Sequence, residues 1–251
     1  MMHSGNPALN QNTFSGLPRS ADQMSLQGTV NKSFILLALL FIPAAWVWQQ
    51  MPQPGDLMAR ESVSMGGYIM TGFIGGLVLA LVTMFKKEWS PVSAPLYAAF
   101  QGLALGGISV QYSYLYDGIV LQAVGLTMAI FTALLMAYTS GMIRATENFK
   151  LGITAATGGI ALFYLFAMIA GMFGMNFPMI HGGGIIGIGF SLVVVVIAAL
   201  NLVMDFDFIE EACERGAPKY MEWYAAFGLI VTLVWLYLEI LRLLSKLNSR
   251  N

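Results

Sequence analysis

Charged side chains are scarce in this sequence. Lysine, arginine, aspartate and glutamate make up 10% of its 251 residues, whereas 57% are hydrophobic. A soluble domain carries about a quarter charged residues, so water does not cover most of this chain. The net charge of -1 provides no basic field of the kind that attracts nucleic acid. The composition therefore predicts an integral membrane protein whose partner is the lipid bilayer, and no nucleic acid.

Cysteine and histidine are nearly absent. Cys213 is the one cysteine, so no internal disulfide can form, and its acidic neighbours disfavour a reactive thiolate. The two histidines, His3 and His181, lack neighbouring metal ligands in the sequence. There is no Gly-x-Ser-x-Gly motif of a serine hydrolase. We therefore expect a protein that is not an enzyme, with no cofactor and no certain metal site.

Seven apolar segments reach or approach the roughly 20 residues that a helix needs to cross a bilayer. They cover residues 34–48, 66–85, 94–113, 118–139, 151–175, 184–204 and 223–244. Residues 192–197 are apolar on every side, which excludes the alternating strands of an outer-membrane barrel. The sequence predicts an all-α bundle of seven transmembrane helices over residues 32–246, between a flexible polar tail at 1–31 and a short tail at 247–251.

The lysines and arginines predict the orientation of the chain. If the N-terminus is cytosolic, the inner side holds Arg19, Lys32, Lys86, Lys87, Arg144, Lys150, Arg215 and Lys219. The outer connections hold only Arg60. Arg242, Lys246 and Arg250 conflict with this orientation, since an odd number of helices places them outside. Either the last helix is broken near Glu239, or the membrane tolerates these charges.

Two carboxylates lie in or beside apolar segments, where a charge is costly and usually functional. Glu239 interrupts the seventh segment, and Asp205 follows directly on the sixth. Each also has a structural interpretation, because Glu239 can pair with Arg242 one turn on and Asp205 can be an interfacial charge. At 100° per residue, Asn201 shares a helical face with Asp205, whereas Asp207 points away and is expected to be a solvated cytosolic charge.

If Asp205 and Glu239 meet, they form a paired-carboxylate site. Two like charges in a medium of low dielectric constant resist double ionisation, so such a pair shares a proton and titrates as a unit near neutral pH. Carboxylate oxygens also suit a hard cation such as calcium. The two acids therefore predict a proton sensor or a cation path, if the fold brings them together.

Small residues at four-residue spacing are the other pattern in the apolar segments. Gly72 precedes Gly76, and Gly102 precedes Gly106. This spacing lets helix backbones approach closely in lipid, so it predicts tight packing, with a hinge or pore-lining role as the alternative.

These residues resemble those of the Bax inhibitor-1 family, also called YccA-like membrane proteins. Asp205 is followed four residues later by Ile209, and Glu239 stands in the pattern Leu-Tyr-Leu-acid-Ile at residues 236–240. Residues 97–109 look like the family's third helix, and Asn-Pro-Ala-Leu at 6–9 resembles the start of a bacterial subgroup. The resemblance covers most of the chain.

The resemblance implies a seven-helix bundle with a central last helix. It further implies a pH-sensitive calcium leak controlled by Asp205 and Glu239, in a bacterial cytoplasmic membrane. Glu239 is a departure, because family members usually carry aspartate there. A second hypothesis is a scaffold that binds a membrane quality-control protease or a stress-response partner through the polar tail and residues 205–222. A proton-coupled transporter is a third, although such proteins normally show paired broken helices.

Overall fold

A computed structural model describes residues 23–50, 65–173 and 184–249. Within these ranges the chain forms seven α-helices and one short 3-10 helix at Lys87–Trp89. The α-helices are α1 (Leu26–Gln49), α2 (Met65–Phe85), α3 (Ser90–Leu115), α4 (Ile119–Thr139), α5 (Glu147–Met172), α6 (Ile185–Glu214) and α7 (Met221–Asn248). The described residues contain no strand, only an isolated β-bridge between Gln23 and Pro218. The predicted all-α class is confirmed.

Six of these helices are long and apolar enough to cross a membrane, namely all except α3. α3 has 26 residues, which is sufficient length, but Gln101, Gln111 and four serines make it more polar. Large apolar side chains such as Phe73, Leu121 and Leu162 are at least 60% exposed, as suits a surface that faces lipid. A helix satisfies its own backbone hydrogen bonds, so it is a structure that hydrocarbon tolerates. The chain is an integral membrane protein.

The first helix begins earlier than its apolar segment predicts. Ser25 caps α1, and its hydroxyl accepts a hydrogen bond from the backbone N–H of Gly28 at 3.0 Å. Serine is a favoured N-cap because it satisfies an amide that the first turn leaves without a partner. The helix therefore starts at Leu26 and not at residue 32. Residues 1–22 of the predicted tail lie outside the described residues.

The sixth helix is also longer than predicted. It has 30 residues and continues to Glu214, so Asp205 lies within the helix and not at its end. Phe208, Ile209 and Ala212 are at most 6% exposed, while Glu210 is exposed. Buried positions spaced by three and four residues keep this amphipathic extension helical, although its composition resembles a loop.

The helices belong to two compact units. The α1–α3 unit comprises Leu17–Asp117 and Cys213–Ile230, and the α4–α6 unit includes Gly118–Ala212 and Val231–Asn251. α7 therefore contributes its beginning to one unit and its end to the other. Of the six helices that are apolar enough to span a membrane, α7 is the most buried. In its most apolar stretch of 18 residues 67% is buried, against 39% for α6 and less for the other four. The central position that the resemblance implies for the last helix stays a prediction.

Glycines determine the packing within the α1–α3 unit. A Cβ atom added at Gly102 of α3 would collide with the backbone carbonyl of Leu40 on α1. One added at Gly72 of α2 would collide with the backbone of Ala104 on α3. The predicted close approach of helices at these glycines is confirmed.

Candidate functional site

Glu239 lies inside α7 and is 2% exposed. Its two oxygens accept hydrogen bonds from Nη1 of Arg242 at 2.8 and 2.9 Å and from the Tyr164 hydroxyl of α5 at 3.2 Å each. Arg242 also donates to the Tyr164 oxygen at 2.6 Å. We call Glu239, Arg242 and Tyr164 the Glu239 cluster. Of the two interpretations of Glu239, the structure shows the pairing with Arg242, and α7 is unbroken at this point.

Lys246 extends the charges of α7 by one further turn. Its side chain turns inward and the residue is 5% exposed. Nζ donates to the carbonyl oxygen of Gly187 at 3.0 Å and to Oγ of Ser191 at 2.8 Å, both on α6. The charges of Arg242 and Glu239 both act on this ammonium group. α7 thus contributes one acid and two cations to the same interior.

Asp205 and Asn201 share the buried face of α6, as predicted. Asp205 is fully buried and Asn201 is 2% exposed. Nδ2 of Asn201 donates to Oγ1 of Thr157 on α5 and to the carbonyl oxygen of Ile197, each at 2.8 Å. Oδ1 of Asn201 finds no hydrogen-bond partner within the described part of the chain. This stretch of the interior is polar although the helices around it are apolar.

Asp207 has a different environment from Asp205, in accord with its helical phase. Its side chain is 26% exposed, and Oδ2 lies 2.5 Å from Nζ of Lys150 at the start of α5. Lys150 itself is 6% exposed. The sequence predicts a solvated charge at Asp207. The structure instead shows Asp207 as the counter-ion of a buried lysine.

The side-chain pairs between α5 and α6 fix the register of these antiparallel helices. Thr157 of α5 contacts Asn201 of α6, and Lys150 of α5 contacts Asp207 of α6. From the first pair to the second, the position moves six residues forward along α6 and seven residues back along α5. Interpolation between the two pairs places Asp205 level with about residue 153 of α5. The same register gives the depth of any residue that contacts α5.

Glu239 contacts α5 at Tyr164 and not near residue 153. Those α5 positions differ by 11 residues, which at about 1.5 Å per residue is about 16 Å along the helix axis. The structure shows Glu239 with Arg242 and Tyr164 as its partners, and the shared-proton pair of Asp205 and Glu239 stays a prediction. Their roles in pH sensing or an ion path stay a prediction.

A third buried carboxylate lies in the α1–α3 unit and was not predicted. Glu222 is fully buried, and Oε1 accepts hydrogen bonds from the backbone N–H of Ser25 at 2.9 Å and from its hydroxyl at 3.0 Å. Its carboxylate also pairs with Lys32 and lies 3.8 Å from Nζ of Lys219. A Cβ atom at Gly28 would occupy the position of this carboxylate. Glu222 stands among polar residues just before an apolar segment, so the sequence does not predict that it is buried.

Tyr164 and the inward Lys246 were also missed. Tyr164 lies in an aromatic run that reads as lipid-facing, and nothing in that run singles it out. Lys246 follows Glu239 by seven residues, which at 100° per residue is nearly the same helical face. That phase was the one available signal for its inward direction.

Apolar helices of spanning length with charged groups in their interior define a polytopic membrane protein. The model of the family described as Bax inhibitor 1 like matches residues 6–249. The chain therefore belongs to the Bax inhibitor 1 like family, as the resemblance predicted. A search of curated proteins found no match. Membership of a bacterial subgroup stays a prediction.

Proposed function

We propose that this protein is a non-enzymatic, pH-sensitive cation leak of the membrane, with calcium as the cation that the family resemblance suggests. The observation that carries the proposal is the setting of Glu239. This carboxylate is 2% exposed within an apolar helix, whereas 32% of the side chain of its partner Arg242 is exposed. A negative charge on Glu239 in this position is costly. Arg242, its counter-ion, is close enough to water to move away from it.

Protonation of Glu239 supplies the switch in this proposal. A neutral carboxyl group no longer attracts Arg242, and long cationic side chains near helix ends readily extend to the membrane interface. The contact between α5 and α7 through Tyr164 then loosens, and acid favours the open state. Asp205 is a second buried acid, on α6, and the family resemblance pairs it with Glu239 as the proton sensor.

Calcium flux into liposomes that contain the purified protein, measured across pH, tests the proposal. We expect a leak that rises as the pH falls, a flattened pH dependence in Glu239→Gln, and an altered one in Asp205→Asn. Asp207→Asn is the matched control, because Asp207 lies on another helical face than Asp205. Flux equal to that of protein-free liposomes at every pH would overturn the proposal.

We propose a cytosolic N-terminus and a location in a bacterial cytoplasmic membrane. Two of the three cations that conflict with this orientation have partners inside the protein: Arg242 pairs with Glu239, and Lys246 donates to α6. Arg250 lies outside the described residues. The lysines and arginines of the connections therefore carry the proposed orientation. A cysteine at position 86 in a Cys213→Ser background should resist labelling by an impermeant reagent outside intact cells. Labelling from outside would refute this orientation.

The second candidate is a scaffold for a membrane protease or a stress-response partner. It is favoured by a backbone contact, in which the N–H of Met24 donates to the carbonyl of Ala217 at 2.7 Å. This contact joins the two segments predicted to bind the partner, the polar tail and the connection between α6 and α7. Deletion of residues 1–22, which spares the Ser25 cap, separates the two functions. A leak should survive the deletion, whereas a partner function that depends on the tail should be lost.

A further inference from the structure

One face of α5 carries a line of polar side chains. Lys150, Thr157 and Tyr164 follow one another at seven-residue spacing. Seven residues turn an α-helix through about 700°, which is about 20° short of two complete turns, so the three side chains lie on nearly the same face. At about 1.5 Å per residue, the line covers about 21 Å of a helix that is otherwise apolar enough to span a membrane.

Each of these side chains contacts a polar side chain on a neighbouring helix. The pairs are Lys150 with Asp207 on α6, Thr157 with Asn201 on α6, and Tyr164 with Glu239 on α7. We call these three pairs the α5 seam. Polar pairs hold helices together in lipid with or without water beside them. The state of the middle pair distinguishes a dry seam from a hydrated one.

The middle pair leaves one buried oxygen atom without a donor. Asn201 is 2% exposed, and its Nδ2 donates to Thr157 and to the carbonyl of Ile197. Its Oδ1 has no hydrogen-bond partner among the residues that the structure describes. An acceptor buried in this state costs about 1–3 kcal/mol, and buried water molecules typically supply the missing donor. The carboxyl group of Asp205, one turn on along the same face of α6, gives such a water a second polar neighbour.

The seam reaches the exterior at the beginning of α5. Lys150 lies three residues after the first residue of this helix, Glu147. The side chain of its partner Asp207 is 26% exposed. The other two pairs lie progressively deeper along α5. Water therefore has an entrance at the Lys150 end of the seam.

We propose that the α5 seam is the wall of a narrow hydrated path, which admits water at the beginning of α5 and leads past Asp205 to Glu239. A chain of water molecules also carries protons, so the path supplies protons to both acids. That use of the path rests on the proposed pH-sensitive leak, whereas hydration of the seam does not. The charged or titratable groups along the path are Lys150, Asp207, Asp205, Tyr164, Glu239 and Arg242.

The reactivity of single cysteines with a small water-soluble methanethiosulfonate tests the proposal. The reagent modifies the thiolate, and a thiol surrounded by lipid or by a dry interior ionises poorly. In proteoliposomes of the Cys213→Ser protein, with reagent on both sides, we expect Thr157→Cys to react about tenfold faster or more than Ala155→Cys. Ala155 is the matched control, because it lies at nearly the same depth of α5 but is exposed on another face.

Equal reaction rates at the two positions would overturn the proposal, because the seam would then be a dry contact between helices. Should Thr157→Cys fail to fold, Asn201→Cys places the thiol on the opposite wall of the path. Its control is Val196→Cys, at a position of α6 that is 47% exposed. The same difference in rate is expected, and its absence would again overturn the proposal.

Comparison with calcium flux separates this inference from the proposed function. If Thr157→Cys reacts rapidly but the unmodified protein shows no leak at any pH, the leak proposal fails and the hydrated path stands. If the unmodified protein leaks in a pH-dependent manner but neither Thr157→Cys nor Asn201→Cys reacts faster than its control, the hydrated path is overturned and the leak proposal stands.

Discussion

Two glutamates on α7, Glu222 and Glu239, are both buried but have different partners. Glu222 in the α1–α3 unit takes a backbone N–H, a hydroxyl and Lys32 from residues 25–32, and Lys219 lies 3.8 Å away. Glu239 in the α4–α6 unit takes an arginine three residues on in its own helix and one tyrosine hydroxyl. Burial alone therefore does not distinguish these two carboxylates. The number and origin of the donors do.

The cost of neutralising each glutamate follows from this difference. Protonation of Glu222 would remove the charge that compensates Lys32, whose side chain is 18% exposed, and weaken the contact with Ser25. Protonation of Glu239 would release Arg242, whose guanidinium group lies nearer to water. We infer that Glu222 holds the fold together as a permanent anion, while Glu239 is able to switch.

The largest effect is expected from Glu222→Ala. Removal of one partner of a buried ion pair leaves the other charge uncompensated and typically costs about 3–5 kcal/mol of unfolding free energy. Unfolding in detergent micelles measures the loss. Glu222→Gln keeps a side-chain oxygen for the Ser25 donors and should lose less. If Glu222→Ala were no less stable than Glu239→Ala, the distinction between the two glutamates would collapse.

A smaller effect, of opposite sign in the two units, is expected from glycine substitutions. Gly102→Ala places a Cβ against the carbonyl of Leu40, and such overpacking costs about 1–3 kcal/mol. Gly125→Ala in α4 meets nothing within 4 Å, and higher helix propensity should stabilise it by up to about 1 kcal/mol. The same unfolding assay compares them. If Gly102→Ala and Gly125→Ala changed the unfolding free energy equally, helix packing at Gly102 would be no tighter than at Gly125.

Glu239→Gln should change stability little but alter the response to pH. Arg242 is partly exposed and can find water, so the loss of the ion pair should cost about 1 kcal/mol or less. The pH profile of calcium flux should flatten, because the carboxylate proposed as the pH sensor has been removed. Arg242→Gln should mimic this profile, since the two residues form one cluster. A normal profile in both variants would assign the pH response to another group.

The smallest effect on flux is expected from Asp207→Asn. Asp207 lies two residues from Asp205 but on another helical face, where it pairs with Lys150. Calcium flux and its pH dependence should match those of the unmodified protein, whereas Asp205→Asn should change them. A loss in Asp207→Asn as large as in Asp205→Asn would place both aspartates in one functional site.

The extension of α6 shows where sequence patterns were informative and where they were misread. The apolar segment ends at about residue 204, and the charges that follow predict a loop. Phe208, Ile209 and Ala212 nevertheless carry a helical period, and burial of that face keeps the helix intact to Glu214. Hydropathy detects contact with lipid, so it does not detect an amphipathic helix that packs on protein.

The sequence by itself determined the membrane environment, the seven helices and the buried face that carries Asn201 and Asp205, because length, hydropathy and helical phase are local properties. Only the tertiary structure decided which groups meet. The register between α5, α6 and α7 brings Tyr164 to Glu239 and the α6 oxygens to Lys246. Register depends on how whole helices pack, and helical phase predicts a face but not a depth.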